Sequence, residues 1–144
     1  MKTFIRIFIR YLIIIIFAFL FDCFYNEISY DVINNFIENI LFALVLVCPH
    51  LVIFNQRLNK FLYIVFYLVF SLSLCIETIY YYLFDTTINS SLVYVILDSN
   101  YLEAKEFISF YININIALFI FMFFIIVMFN LFTLKLKYFV VKKI

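Results

Sequence analysis

FLYIVFYLVFSLSLCIETIYYYLF, residues 61–84, decides the fold. These 24 residues carry one charge, Glu77. At about 1.5 Å rise per residue, a helix of this length crosses a hydrocarbon core of about 30 Å with residues to spare. The whole chain agrees with that reading: of 144 residues, 69% are apolar and 24% aromatic, and none is Gly. Soluble domains are about 45–50% apolar, and a chain of this size cannot hide so much Phe and Ile from water. An integral membrane protein follows.

Upstream of the opening stretch lies a short basic connection, NQRLNK (55–60), and before it a second apolar span at 36–54. Pro49 and His50 sit near the far end of that span, where a proline is tolerated and kinks the helix. A polar connection precedes it, entered at Asp22 and carrying Glu27, Asp31 and Glu38 with Asn26, Asn34 and Asn35. The first span, 7–25, follows Lys2, Arg6 and Arg10. No small-x-small cleavage site ends it, so it reads as an uncleaved span with its arginines snorkelling to the headgroups. Downstream come a polar stretch at 85–111, a fourth span at 112–134 with no charged residue, and a basic tail. The expected fold is all-α: one transmembrane domain, 1–144, of four transmembrane helices with an interfacial helical segment between the third and fourth.

The charges segregate on this plan. Lys2, Arg6, Arg10, Arg57, Lys60, Lys135, Lys137, Lys142 and Lys143 fall on one side, and only Lys105 lies opposite. The acids fall on the other side or, for Glu77, in the half of a span nearest to it. The positive-inside rule then places both termini in the cytoplasm and 85–111 outside. Abundant Ile, Phe, Asn and Lys with no Gly point to an AT-rich genome and a bacterial inner membrane.

Several chemistries are excluded. No Lys/Arg block reads as a nucleic-acid patch. Cys23, Cys48 and Cys75 are scattered, as helix-packing thiols would be. With one histidine, His50, neither a nucleophilic triad nor a zinc ligand set can be assembled.

The stretch 85–111, DTTINSSLVYVILDSNYLEAKEFISFY, holds the remaining chemical character. Asn100 reads as an N-cap, with Glu103 completing a capping-box pattern three residues on. Glu103 and Glu106 stand in the first two turns, where negative charge suits a helix N-terminus. Phe107, Phe110 and Tyr111 give the helix an aromatic flank for the membrane surface. Two readings stay open: Glu103 only caps and Asp98 only solvates, or Ser99, Glu103 and Asp98 present polar groups to a lipid headgroup ammonium. For Glu77 the readings are snorkelling to the outer surface, or lining the same outward cavity as Glu103.

LFDTTINSSLVYVILDSNYLEAKEFISFY, residues 83–111, resembles the periplasmic segment in the membrane domain of the lipid A phosphoethanolamine transferases, members of the sulfatase-like superfamily. That family carries an Asp after its third span and then a pattern close to (T/S)-(D/N)-x-x-E-(A/x)-x-(E/D)-(F/L). Here the pattern is Ser99-Asn100-Tyr101-Leu102-Glu103-Ala104-Lys105-Glu106-Phe107. The order of spans and charged connections matches over nearly the whole chain. The resemblance implies transfer of phosphoethanolamine from phosphatidylethanolamine to lipid A or another periplasmic acceptor. It implies that Glu103, and Ser99 in the place of a Thr, help position the donor headgroup. Val95 stands where many members carry Asn, and Asp85 matches the Asp after the third span. The family's nucleophile and zinc lie in a periplasmic domain beyond a fifth span. The expectation is therefore a truncated or split donor-lipid half, without a cofactor of its own and inactive alone. Its partners would be phosphatidylethanolamine and a separate sulfatase-like catalytic domain that carries the zinc. A reading from another class also stands: a small structural or accessory four-helix membrane protein.

Overall fold

The computed structural model describes residues 2–26, 28–53, 55–88, 98 and 100–134, with the backbone alone at 2, 3, 104 and 107–109. Among these residues the fold is all-helical: α1 (Lys2–Tyr25), α2 (Tyr30–Val47), α3 (Pro49–Val52), α4 (Gln56–Phe84), α5 (Tyr101–Tyr111) and α6 (Ile114–Phe132). Four stretches are long and apolar enough to cross a membrane: Phe4–Tyr25, Tyr30–Val52, Gln56–Phe84 and Ile114–Phe132. The chain is a multi-pass membrane protein.

The second and third spans start earlier than hydrophobicity alone marks them, and the fourth two residues later, because side-chain caps set their ends. The second span begins at Tyr30 rather than 36, since the Ser29 hydroxyl accepts from the Val32 N–H at 3.3 Å and Asp31 stands in the first turn. What reads as a long polar connection is thus mostly helix. The third span begins at Gln56 rather than 61. Asn55 Oδ1 accepts from the N–H groups of Arg57 and Leu58, drawing the basic connection into the first turn of α4. Asn113 caps α6 in the same way, accepting from the Ile116 N–H at 3.0 Å. Pro49 interrupts the second span: α2 ends at Val47, and the proline opens α3 at a position where its missing N–H is not needed.

α1 packs against α2, α4 and α6 and is the centre of the bundle. Its Tyr11 is fully buried among Tyr63, Tyr67 and Phe70 of α4, with ring centroids 5.4 to 5.9 Å away and edge-on geometry. Edge-to-face packing suits the ring quadrupole. Membrane helices usually approach each other on small residues; with no Gly in the chain, buried Ala18, Ala43 and Ser71 occupy such positions. The large side chains left exposed, among them Phe24, Phe121, Phe124 and Phe132, form the apolar exterior that a bilayer requires.

Alternate ends of successive spans gather at one end of the bundle, and polar side chains collect there in two different ways. The basic end holds Arg6, Arg10, Arg57 and the ends of α3 and α6. The acidic end holds the close of α1 and α4, the start of α2 and α6, and α5.

Candidate functional site

At the acidic end, α2 presents a polar stripe. Asp31, Asn34, Asn35, Glu38 and Asn39 follow the spacing i, i+3, i+4, i+7, i+8 of one helix face. The stripe is internally bonded: Asn34 Nδ2 donates to Glu38 Oε1 at 2.6 Å, and Asn39 Nδ2 donates to Asn35 O and Oδ1 at 3.0 and 3.1 Å. Asn39 Nδ2 also lies 3.4 Å from Glu77 Oε2 on α4, joining the stripe to the one charge of that span. Between the two helices is a cleft of about 230 Å³, lined by Asp31, Asn34, Asn35, Glu38 and Glu77, with Thr87 and Ile88 beyond the end of α4.

Deeper, against α1, a much smaller gap is lined by Asp22, Asn35, Asn39 and Thr78 together with apolar side chains. Asp22 is buried, and its Oδ1 meets no hydrogen-bond partner among the described residues. Asn35 and Asn39 line both this gap and the polar face of α2, so gap and cleft adjoin. Above them the Ser29 and Tyr81 hydroxyls lie 2.9 Å apart, closing α2 onto α4. Tyr82 OH accepts from Asn113 Nδ2 at 3.1 Å and from Asn115 Nδ2 at 3.2 Å, which holds the start of α6 to the end of α4.

The residues singled out by sequence are dispersed. Ser99 lies outside the described residues, and Asp98 is exposed. Glu103 is exposed in the first turn of α5 and forms the capping box its spacing announces. Its N–H donates to Asn100 Oδ1 at 3.0 Å, while its own Oε2 accepts from the Asn100 N–H at 3.2 Å and its Oε1 from Asn100 Nδ2 at 2.9 Å. Both carboxylate oxygens are therefore engaged locally. Glu77 is half-buried and lines a cleft, as one reading had it, but the cleft's described walls are α2 and the end of α4, and Glu103 is not among them. Asp85 ends α4 in the left-handed region (φ 52°), a conformation Asp tolerates at a helix C-terminus.

Sequence reading missed Asp22, Asn35, Asn39 and Thr78 as site residues. The signal was present in the helical spacing of the Asp31–Asn39 polar set, which a reading of 22–35 as a connection conceals.

At the basic end, Arg10 reaches from α1 to the close of α6. Its guanidinium donates to the Asn130 carbonyl, to Thr133 Oγ1 at 3.1 Å and to the Thr133 carbonyl at 3.2 Å. These groups belong to the last turn of α6, where carbonyls lack helical partners. His50, fully buried, pairs with Asn59. The Asn59 amide nitrogen donates to the His50 and Ile53 carbonyls at 3.0 and 3.3 Å, so its oxygen accepts from Nδ1–H of His50. This histidine locks the turn between α3 and α4. Among the described residues no group of three or more His, Cys, Asp or Glu side chains has the arrangement of a metal centre. Compared with protein-family models, curated proteins and solved structures, the chain matches none.

Proposed function

We propose that the chain is a membrane-embedded lipid-binding domain that holds a phosphatidylethanolamine headgroup at its acidic end. It would serve as the donor-lipid half of a phosphoethanolamine transferase acting on lipid A or another periplasmic acceptor. The observation that supports this reading is the cleft between α2 and α4, with the carboxylates of Asp31, Glu38 and Glu77 on its walls. Its volume, about 230 Å³, leaves room for a small headgroup amine. An ammonium group in a poorly hydrated interface is attracted to such carboxylates far more strongly than in bulk water. Ile88 lines the cleft, and Ile33 and Ile37 on α2 are exposed apolar side chains against which acyl chains can lie. The segregation of Lys and Arg supports an inner-membrane orientation with the basic end in the cytoplasm and the cleft on the periplasmic side. Phosphoryl transfer would come from a separate sulfatase-like domain that brings the nucleophile and the zinc.

In this reading the headgroup is held chiefly by α2 and α4. Lipid binding by the purified chain in nonionic detergent tests it, with phosphatidylethanolamine and phosphatidylglycerol compared. A preference for phosphatidylethanolamine that falls about tenfold in Glu77→Gln or Glu38→Gln is expected. Loss in Glu103→Gln alone would move the site to α5. No headgroup preference in the unaltered chain would overturn the proposal and leave a structural or accessory four-helix protein.

A further inference from the structure

We infer that Asp22 anchors a site for a small monovalent cation, of the size of sodium, in the gap between α1, α2 and α4. Asp22 is only 6% exposed, lies within the first span, and presents a buried Oδ1 with no hydrogen-bond partner among the described residues. A carboxylate so placed is costly unless a positive charge or a proton compensates it. Glu77 adds to the need, since it is near enough to act on Asp22 electrostatically. Among the described residues no basic side chain lines the gap. The basic residue of α1 nearest in sequence, Arg10, is twelve positions away, about 18 Å along the helix, and is committed to the end of α6.

The gap has the right donors and the right size. Beside Asp22 it is lined by Asn35 and Asn39 from α2 and Thr78 from α4, so two further helices contribute side chains that carry amide and hydroxyl oxygens. Oxygen donors of this kind suit hard cations. Its free volume, about 10 Å³, is about that of one water, which admits a bare sodium ion and excludes a tethered headgroup ammonium. Calcium takes six to eight oxygen ligands, often several of them carboxylates, more than these side chains offer. The site is thus separate from the headgroup cleft, though it adjoins it through Asn35. Because it ties α1 to α2 and α4, the bound ion would hold together the three spans that build the acidic end.

Thermal unfolding of the full chain in nonionic detergent, followed by far-ultraviolet circular dichroism, tests this at constant ionic strength. Sodium chloride at about 100 mM is expected to raise the melting temperature by about 5 °C over choline chloride, saturably and more than potassium does. Asp22→Asn should melt alike in all three salts, and Thr78→Val should keep the sodium effect but need about tenfold more salt. Equal melting in sodium and choline, or an undiminished sodium effect in Asp22→Asn, overturns the inference. So does a melting temperature that follows pH but not sodium, which would mean that a proton takes the position. Should Asp22→Asn fail to fold, Thr78→Val decides: an unchanged sodium midpoint overturns the site.

Discussion

At the basic end of the bundle, Arg10 commits its guanidinium to the last turn of α6, and His50 and Asn59 close upon each other. At the acidic end, Asp22, Asp31, Glu38 and Glu77 gather around two adjoining gaps that, among the described residues, no basic side chain lines. Both sets lie in or beside membrane spans, where unsatisfied polar groups are expensive. At one end Arg10 and the His50 Nδ1 find partners within the protein, helix-end carbonyls and an amide. At the other, negative charge gathers, the arrangement on which both proposed sites rest. The first pattern holds a bundle together; the second is how a binding site is built. Substitutions of Arg10 and of Asp22 should therefore have opposite signs.

The largest expected effect is at the basic end. Arg10→Ala removes three donated hydrogen bonds from the close of α6, a loss of about 3 kcal/mol. Equilibrium unfolding in mixed detergent reads it, and a loss below about 1 kcal/mol would mean that water replaces the guanidinium and the clamp is incidental. Asn59→Ala comes next, at about 1.5 kcal/mol, since interhelical hydrogen bonds in membranes are individually modest. Its buried histidine would lose the acceptor of its Nδ1 proton. The same unfolding measurement checks it, and His50→Phe made in the Asn59→Ala background should add less than it does alone if the two act as one unit.

At the acidic end the sign reverses. In choline, Asp22→Asn exchanges a buried, unpartnered carboxylate for a neutral amide of nearly the same shape and should stabilise the fold by about 1 kcal/mol. In sodium that advantage should vanish. A destabilised Asp22→Asn protein in choline would break the contrast, because it would mean that Asp22 is held by the bundle as firmly as Arg10 is.

The fold was legible in the sequence because membrane spans are set by length and hydrophobicity, two properties of the chain itself. Residues 61–84 and 112–134 announce themselves, and helices fill them. The limits of the spans were less legible, since Ser29, Asn55 and Asn113 set them by hydrogen bonds from single side chains rather than by composition. The site was least legible. Asp22 and Glu77 are 55 positions apart and belong to different spans, so only the packing of α1 on α4 brings them near each other. Asn39 falls within the 36–54 span, and its place on the polar face appears once α2 is known to start at Tyr30. Conversely, Glu103 drew notice because its capping box is entirely local, written within four residues, and such a pattern reports a helix start whether or not a ligand is bound.

That last point sets the smallest effect. Asn100→Ala removes the acceptor for the Glu103 N–H and should cost about 1 kcal/mol, felt as fraying of α5 rather than as loss of the bundle. Glu103→Gln keeps a side-chain oxygen for the Asn100 N–H, because Gln serves in a capping box as Glu does, and should cost about 0.5 kcal/mol or less. Amide hydrogen exchange across Tyr101–Tyr111 resolves the two: faster exchange in Asn100→Ala, nearly unaltered exchange in Glu103→Gln, and no change in α1, α2 or α4 in either. If Glu103→Gln instead loosened α2 and α4, the carboxylate would have to act beyond its own helix turn. The acidic end would then extend from the cleft to α5, and the sharp division between a self-satisfied cap and an open binding site would fail at that residue.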